Sequence, residues 1–187
     1  MAVEHWLEKA REISIGINKG YLILEVYETW LRLIQDNGWT GACHDTSAGM
    51  FMAMHGVELA PELIIGIVEA PSGKLFDHSW VEVNGLIFDA AVGYPNPDGE
   101  DVSAPIFASR ELETGKRTLL RYGVTNRGQL SEPAHTVASC TLAEYGQHCD
   151  LWEITSAFWC CHGRRVDPND LRRRFGGLRR TVRGSIL

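Results

Sequence analysis

The stretch from Gly41 to Val92, GACHDTSAGMFMAMHGVELAPELIIGIVEAPSGKLFDHSWVEVNGLIFDAAV, decides how this chain is read. Its centre is a hairpin. Asn84-Gly85 is a dipeptide that tolerates the positive φ angles of a two-residue turn, and it stands between two strand-like runs, Leu75 to Val83 and Leu86 to Val92. A two-residue loop fixes the register, so Val83 faces Leu86 and Asp89 lies opposite Trp80. Facing residues share a sheet side and diagonal neighbours are within reach, which puts His78 and Asp89 on one face with side chains able to meet. The other face collects Ser79, Val81, Val83, Leu86, Phe88 and Ala90, an almost wholly apolar surface suited to a core. A histidine beside a carboxylate is how an imidazole is held ready to take a proton from a nucleophile.

Reading toward the N-terminus, Leu63 to Glu69 and the turn Pro71-Ser72-Gly73 complete an antiparallel meander. Before it, Met50, Phe51 and Met54 fall at helical spacing between Cys43 and His55, with Gly56 placed as the C′ residue. Cys43 then sits in the first turn of a helix, where the positive end of the dipole favours thiolate. Backbone N–H groups of that turn, including that of Cys43, would point at a developing oxyanion. Gln35, Asn37 and the Trp39 indole are upstream candidates for a second oxyanion donor, and Trp80 is expected to line the site and keep water from it. His44 follows Cys43 directly, so on a helix the two side chains diverge by about 100° and a dyad between them is not expected. His55 is turns away.

Further out, residues 3 to 12 and 21 to 36 have helical apolar spacing, the second run ending at Asn37-Gly38. Gly93 to Ala104 (GYPNPDGEDVSA) reads as a loop. Helices are expected near 133 to 146, 150 to 161 and 168 to 175.

With 187 residues, 44% of them hydrophobic, the chain can bury one sizeable core. The N-terminus carries Glu4, Glu8, Lys9 and Arg11, unlike a signal peptide, and no run reaches the roughly 18 apolar residues of a membrane span. Five cysteines, odd in number and unevenly spaced, suggest a reducing, cytoplasmic setting and no disulfide framework. His148, Cys149, Cys160, Cys161 and His162 are metal-ligand types, but they are adjacent residues in two groups ten apart, without the usual zinc spacing. No metal or other cofactor is therefore expected. From Arg164 onward eight arginines oppose Asp167 and Asp170, so a +6 segment follows a −12 body. Such a tail docks on its own acidic body, stays solvated, or contacts an acidic partner such as nucleic acid, a membrane surface or a protein.

Taken together, Cys43 opening a helix with Asp45 after it, Gly56 ending that helix, then HSWVEV (His78 to Val83) and Asp89 on the next strand resemble the core of the transglutaminase-like superfamily, a branch of the papain-like cysteine peptidase fold. The resemblance spans about residues 39 to 92. It implies a Cys43-His78-Asp89 triad and peptidase, amidase or acyl-transfer chemistry without a required metal. One departure bears on the subfamily: the Cys-to-His distance is short.

The reading is a single α+β domain, helices packed on a small antiparallel sheet, over residues 1–163 with an arginine-rich extension over 164–187. Its expected function is that of a cysteine-dependent hydrolase or acyltransferase. It would act on an amide or peptide bond through a thioester, with a peptide or protein as substrate ahead of a small amide. The alternative is a non-catalytic binding module of the same fold that contacts a protein or nucleic acid through its basic tail.

Overall fold

A computed structural model describes residues 2–125 and 129–184. Three helices come first: α1 (Ala2–Ser14), α2 (Gly20–Asn37) and α3 (Cys43–Gly56). Gly38 closes α2 in the left-handed conformation at φ 59°, its N–H returning to the Ile34 and Gln35 carbonyls. Strands β1 (Pro61–Glu69), β2 (Leu75–Val83) and β3 (Leu86–Phe88) follow. They pair antiparallel in the order expected, with Val83 opposite Leu86 and Val81 opposite Phe88. Asn84 and Gly85 both have positive φ, 52° and 75°, the turn this dipeptide favours.

Beyond Phe88 the chain leaves β2, so the strand expected to run to Val92 stops there and Asp89 does not pair opposite Trp80. Asp89 exchanges both backbone hydrogen bonds with Ile106, at 2.9 and 2.8 Å, next to a small hairpin of β4 (Ile106–Phe107) and β5 (Arg110–Glu111). Residues 93–104 form the loop between them. Strand β6 (Arg121–Tyr122) then pairs with the C-terminal end of β1. The expected helix over 133–146 is two helices, α4 (Glu132–Ser139) and α5 (Leu142–Tyr145), because Cys140 is extended and Thr141 starts a new capping box with Glu144. Helix α6 (Leu151–Cys161) and α7 (Pro168–Phe175) lie where expected.

The arginine-rich segment is folded into the body. Helix α7 sends Leu171 and Phe175 into the main core, and β7 (Thr181–Arg183) runs parallel to β1, pairing at Ile64, Ile65 and Gly66. Residues 185–187 of that segment lie outside the described part of the chain. The fold is thus α+β, with a mainly antiparallel sheet ordered β3-β2-β1-β6 and β7 beside β1.

Both faces of the sheet are covered. Val81, Val83 and Phe88 meet α2 and α3 through Trp30, Leu31, Met50 and Met54. The other face, with Ile64, Val68 and Trp80, packs on Val92, Ile106 and Leu120. Close packing, and not a left-handed turn, accounts for Gly56: it is the last helical residue, and a Cβ there would lie 2.1 Å from the Trp159 ring. Among the described residues no helix is long and apolar enough to cross a membrane.

Candidate active site

Cys43 is the first residue of α3, preceded by Ala42, whose side chain cannot cap the turn. The first-turn N–H groups are left without intrahelical acceptors, so the sulfur sits where helix ends attract negative charge. His78 comes from β2 and Asp89 from the residue directly after β3, and His78 Nε2 lies 2.7 Å from Asp89 Oδ2. That contact is short in distance, but the ring N–H does not aim along it, so it is a charge pair more than an aligned hydrogen bond. With Nε2 facing Asp89, the other ring nitrogen is left for the Cys43 thiol, which interacts with the same ring.

Asp89 is held from several directions. Its Oδ1 accepts the N–H groups of Ala91 and Val92, each at 3.1 Å, and its Oδ2 accepts the Tyr122 hydroxyl at 2.8 Å. Tyr27 donates to its carbonyl at 3.3 Å. Burial, with the Asp89 charge beside them, raises both phenols well above their usual range, so they remain donors.

Burial by itself would raise the Cys43 thiol. The His78 charge and then hydrogen bonds from His44 and His78 outweigh it and bring the thiol down to about 5. For His78 burial works the other way, and the charges of Asp89 and Cys43 overcome it and raise the imidazole well above its usual range. The two shifts describe a thiolate-imidazolium pair. Cys149 shows the contrast: burial and the neighbouring Asp45 charge push it up to about 12.

The thiol is packed among protein atoms yet opens onto a cleft of about 180 Å³. Phe76 and His78 line it from β2, and Ala91, Val92, Tyr94, Asn96 and Val102 line it from the chain after β3. An ion pair of 3.3 Å between Lys74 and Glu100 joins those two walls. The cleft is small and largely apolar, sized for a side chain or a short acyl group.

Three expectations about the surroundings change. Trp80 is fully buried on the same face of the sheet as His78, against the Tyr122 ring at 5.0 Å, and its Nε1 donates to Glu82 Oε1 at 2.9 Å, so it packs beside the site without lining the cleft. Gln35 Oε1 accepts the Tyr94 hydroxyl at 3.1 Å and thereby holds a cleft wall, while Trp39 lines a neighbouring depression with Asp45 and Cys149. Neither is part of the cleft lining, which leaves the α3 backbone N–H groups as the oxyanion donors the geometry offers. His44 also differs: its Nδ1 lies 3.8 Å from Cys43 Sγ and 2.7 Å from Ser79 Oγ. The helical divergence is overcome because Ser79, on the core face of β2, draws the ring toward the sheet.

Sequence reasoning missed Tyr122 and Arg180. Arg180 is only 4% exposed; its Nη2 donates to the His44 carbonyl at 3.1 Å, and its guanidinium lies 4.4 Å from the Tyr145 ring centroid. Its Nε and Nη1 have no hydrogen-bond partner among the described residues. Tyr145 in turn donates to Asp45 Oδ1 at 2.9 Å. An isolated arginine in a run of arginines carries no signal of burial. Among the described residues no group of three or more His, Cys, Asp or Glu side chains is arranged to hold a metal ion.

Comparison of the chain with protein-family models, with curated proteins and with solved structures finds no match.

Proposed function

We propose that the chain is a cysteine-dependent hydrolase or acyltransferase with a transglutaminase-like, papain-like core, acting on an amide or peptide bond. The observation that carries this reading is Cys43 at the start of α3 lining one cleft with a buried His78 that pairs with Asp89. In the proposed reaction the Cys43 thiolate attacks the acyl carbonyl and the oxyanion forms against the N–H groups of the α3 turn. His78 gives its proton to the leaving amine, the C–N bond breaks, and a thioester remains on Cys43. Water, or a second amine, attacks the thioester with His78 as base and restores the thiolate. Asp89 holds the ring charge and orientation throughout. The cleft's size favours a substrate that offers one side chain or a short acyl group, as a peptide does. A reducing, cytoplasmic setting belongs to the proposal, in keeping with five unpaired cysteines.

A non-catalytic module that binds through its basic segment draws less support. Arg180 is buried and Arg183 pairs with Glu82 and Glu62, so part of the positive charge is turned inward.

The test is intact-mass analysis after brief exposure to p-nitrophenyl acetate and acid quench. The expected result is one acetyl group on Cys43, lost with time and lost faster when an amine is added. Cys43→Ala and His78→Ala proteins should show none. Acetylation of the native chain that ignores both substitutions would refute the proposal.

A further inference from the structure

Cys43 has two histidines, and the mechanism above uses one. The His44 ring contacts the sulfur directly, with Nδ1 3.8 Å from Sγ, within reach for a donor to sulfur. Two restraints place it there. Ser79 Oγ, on the neighbouring strand, lies 2.7 Å from the same nitrogen. Arg180, from the segment leading into β7, fixes the His44 backbone through its carbonyl. A half-buried polar ring on an ordinary helix would turn to solvent. This one is tied at both ends and faces the reacting atom.

We propose that His44 is a second catalytic histidine, whose Nδ1–H is shared between the Cys43 thiolate and Ser79 Oγ, independently of His78, and is left to Ser79 Oγ alone when the sulfur becomes a thioester. No proton is transferred by His44. The S–C bond forms with the sulfur lone pair, the leaving amine takes its proton from His78, and the Nδ1 hydrogen only loses one of its two acceptors. Ser79 is suited to this because a hydroxyl oxygen accepts the hydrogen that the thioester sulfur, a poor acceptor, no longer holds. The arrangement divides two tasks between two rings: His78 with Asp89 moves the proton, and His44 with Ser79 holds the thiolate between turnovers. The charged and titratable groups that act on this sulfur are His78 from β2, His44 from α3 and Arg180 from the chain before β7; behind them Asp89 faces His78, and Asp45, Tyr145 and Cys149 face Arg180. This inference rests on the proposed role of Cys43 as nucleophile.

The experiment is ultraviolet titration of the Cys43 thiolate, taken as the difference from Cys43→Ala, in native protein and in His44→Leu, His44→Asn and His44→Gln. Asparagine places an amide N–H near the position of Nδ1, whereas leucine places none and glutamine places it farther out. The expected result is a low native midpoint, raised by about one unit in His44→Leu, as loss of one hydrogen bond to a charged acceptor predicts, and restored in His44→Asn. His78→Ala should raise it further. Equal midpoints in the native, Leu and Asn proteins would overturn the inference while leaving Cys43 activated. A native midpoint in the ordinary thiol range would instead remove the reading on which it rests. If none of the three variants gives the native circular dichroism spectrum, His44 is a structural residue and the inference also fails.

Discussion

At the scale of single residues, the candidate site depends on one carboxylate being immobile. Asp89 accepts from two backbone N–H groups and a tyrosine while facing His78, and this fixes where the imidazole charge is stabilised. Asp89→Asn should keep most of the geometry and lose the charge. Acetyl transfer to Cys43 should then fall by about two orders of magnitude or more, the usual scale of a lost acid-base group, measured by the intact-mass assay. Tyr122→Phe removes one neutral donor to a charged acceptor and should cost about 1.5–3 kcal/mol in urea unfolding while leaving Cys43 reactive. How visible these residues were in the sequence follows from their spacing. His78 and Asp89 could be paired because a two-residue turn makes register a matter of counting. Tyr122 could not, since it reaches Asp89 from a two-residue strand that no periodicity marks. The contact of His44 with the sulfur is hidden for a related reason: helical geometry separates adjacent side chains, and the Ser79 hydroxyl against the ring comes from β2, outside any local rule.

Among the elements, α3 and the β2–β3 hairpin were legible because each is set by neighbouring residues: a turn dipeptide, an alternating strand, an apolar helical stripe. Strands β4 to β7 are two or three residues long and exist through contacts distant in sequence. The helix expected over 133–146 broke at Cys140 because local capping by Thr141 and Glu144 prevailed over apolar spacing. Strand β7 depends on a close approach at Gly66, where a Cβ would lie 2.2 Å from the Arg183 carbonyl oxygen and 3.1 Å from the Trp80 ring. Gly66→Ala should therefore push β7 off β1 and lower stability by about 1–3 kcal/mol, as overpacking does, read by urea denaturation. Because β7 follows Arg180, the same substitution should also slow Cys43 alkylation, and an unchanged rate would mean that β7 and the site are independent.

Across the whole molecule, the division between an acidic body and a basic C-terminal segment becomes a matter of assembly. The segment returns to the sheet, and Arg180 ends up buried against the first turn of the helix that carries Cys43. A buried guanidinium with two nitrogens unpartnered among the described residues is a poor contributor to stability, because desolvation of the charge is only partly offset. Arg180→Met should therefore leave the melting temperature equal or higher while reducing Cys43 reactivity, a combination that a purely structural arginine would not give. The charge asymmetry could be counted in the sequence, but which arginine turns inward could not. That choice is made by the β1–β7 pairing and by the Tyr145 ring beneath the guanidinium. The central claim, an activated Cys43, is tested most directly by iodoacetamide alkylation of each cysteine across pH 5 to 9, followed by peptide mass spectrometry. A thiol brought down to about 5 is about half thiolate at the acid end and almost wholly thiolate at neutrality, so Cys43 should keep about half of its neutral rate at the acid end, and Cys149, pushed up to about 12, should lag throughout. In His78→Ala the low-pH reactivity of Cys43 should disappear. Slow labelling of Cys43 that rises only toward the alkaline end, unchanged by His78→Ala, would contradict the account.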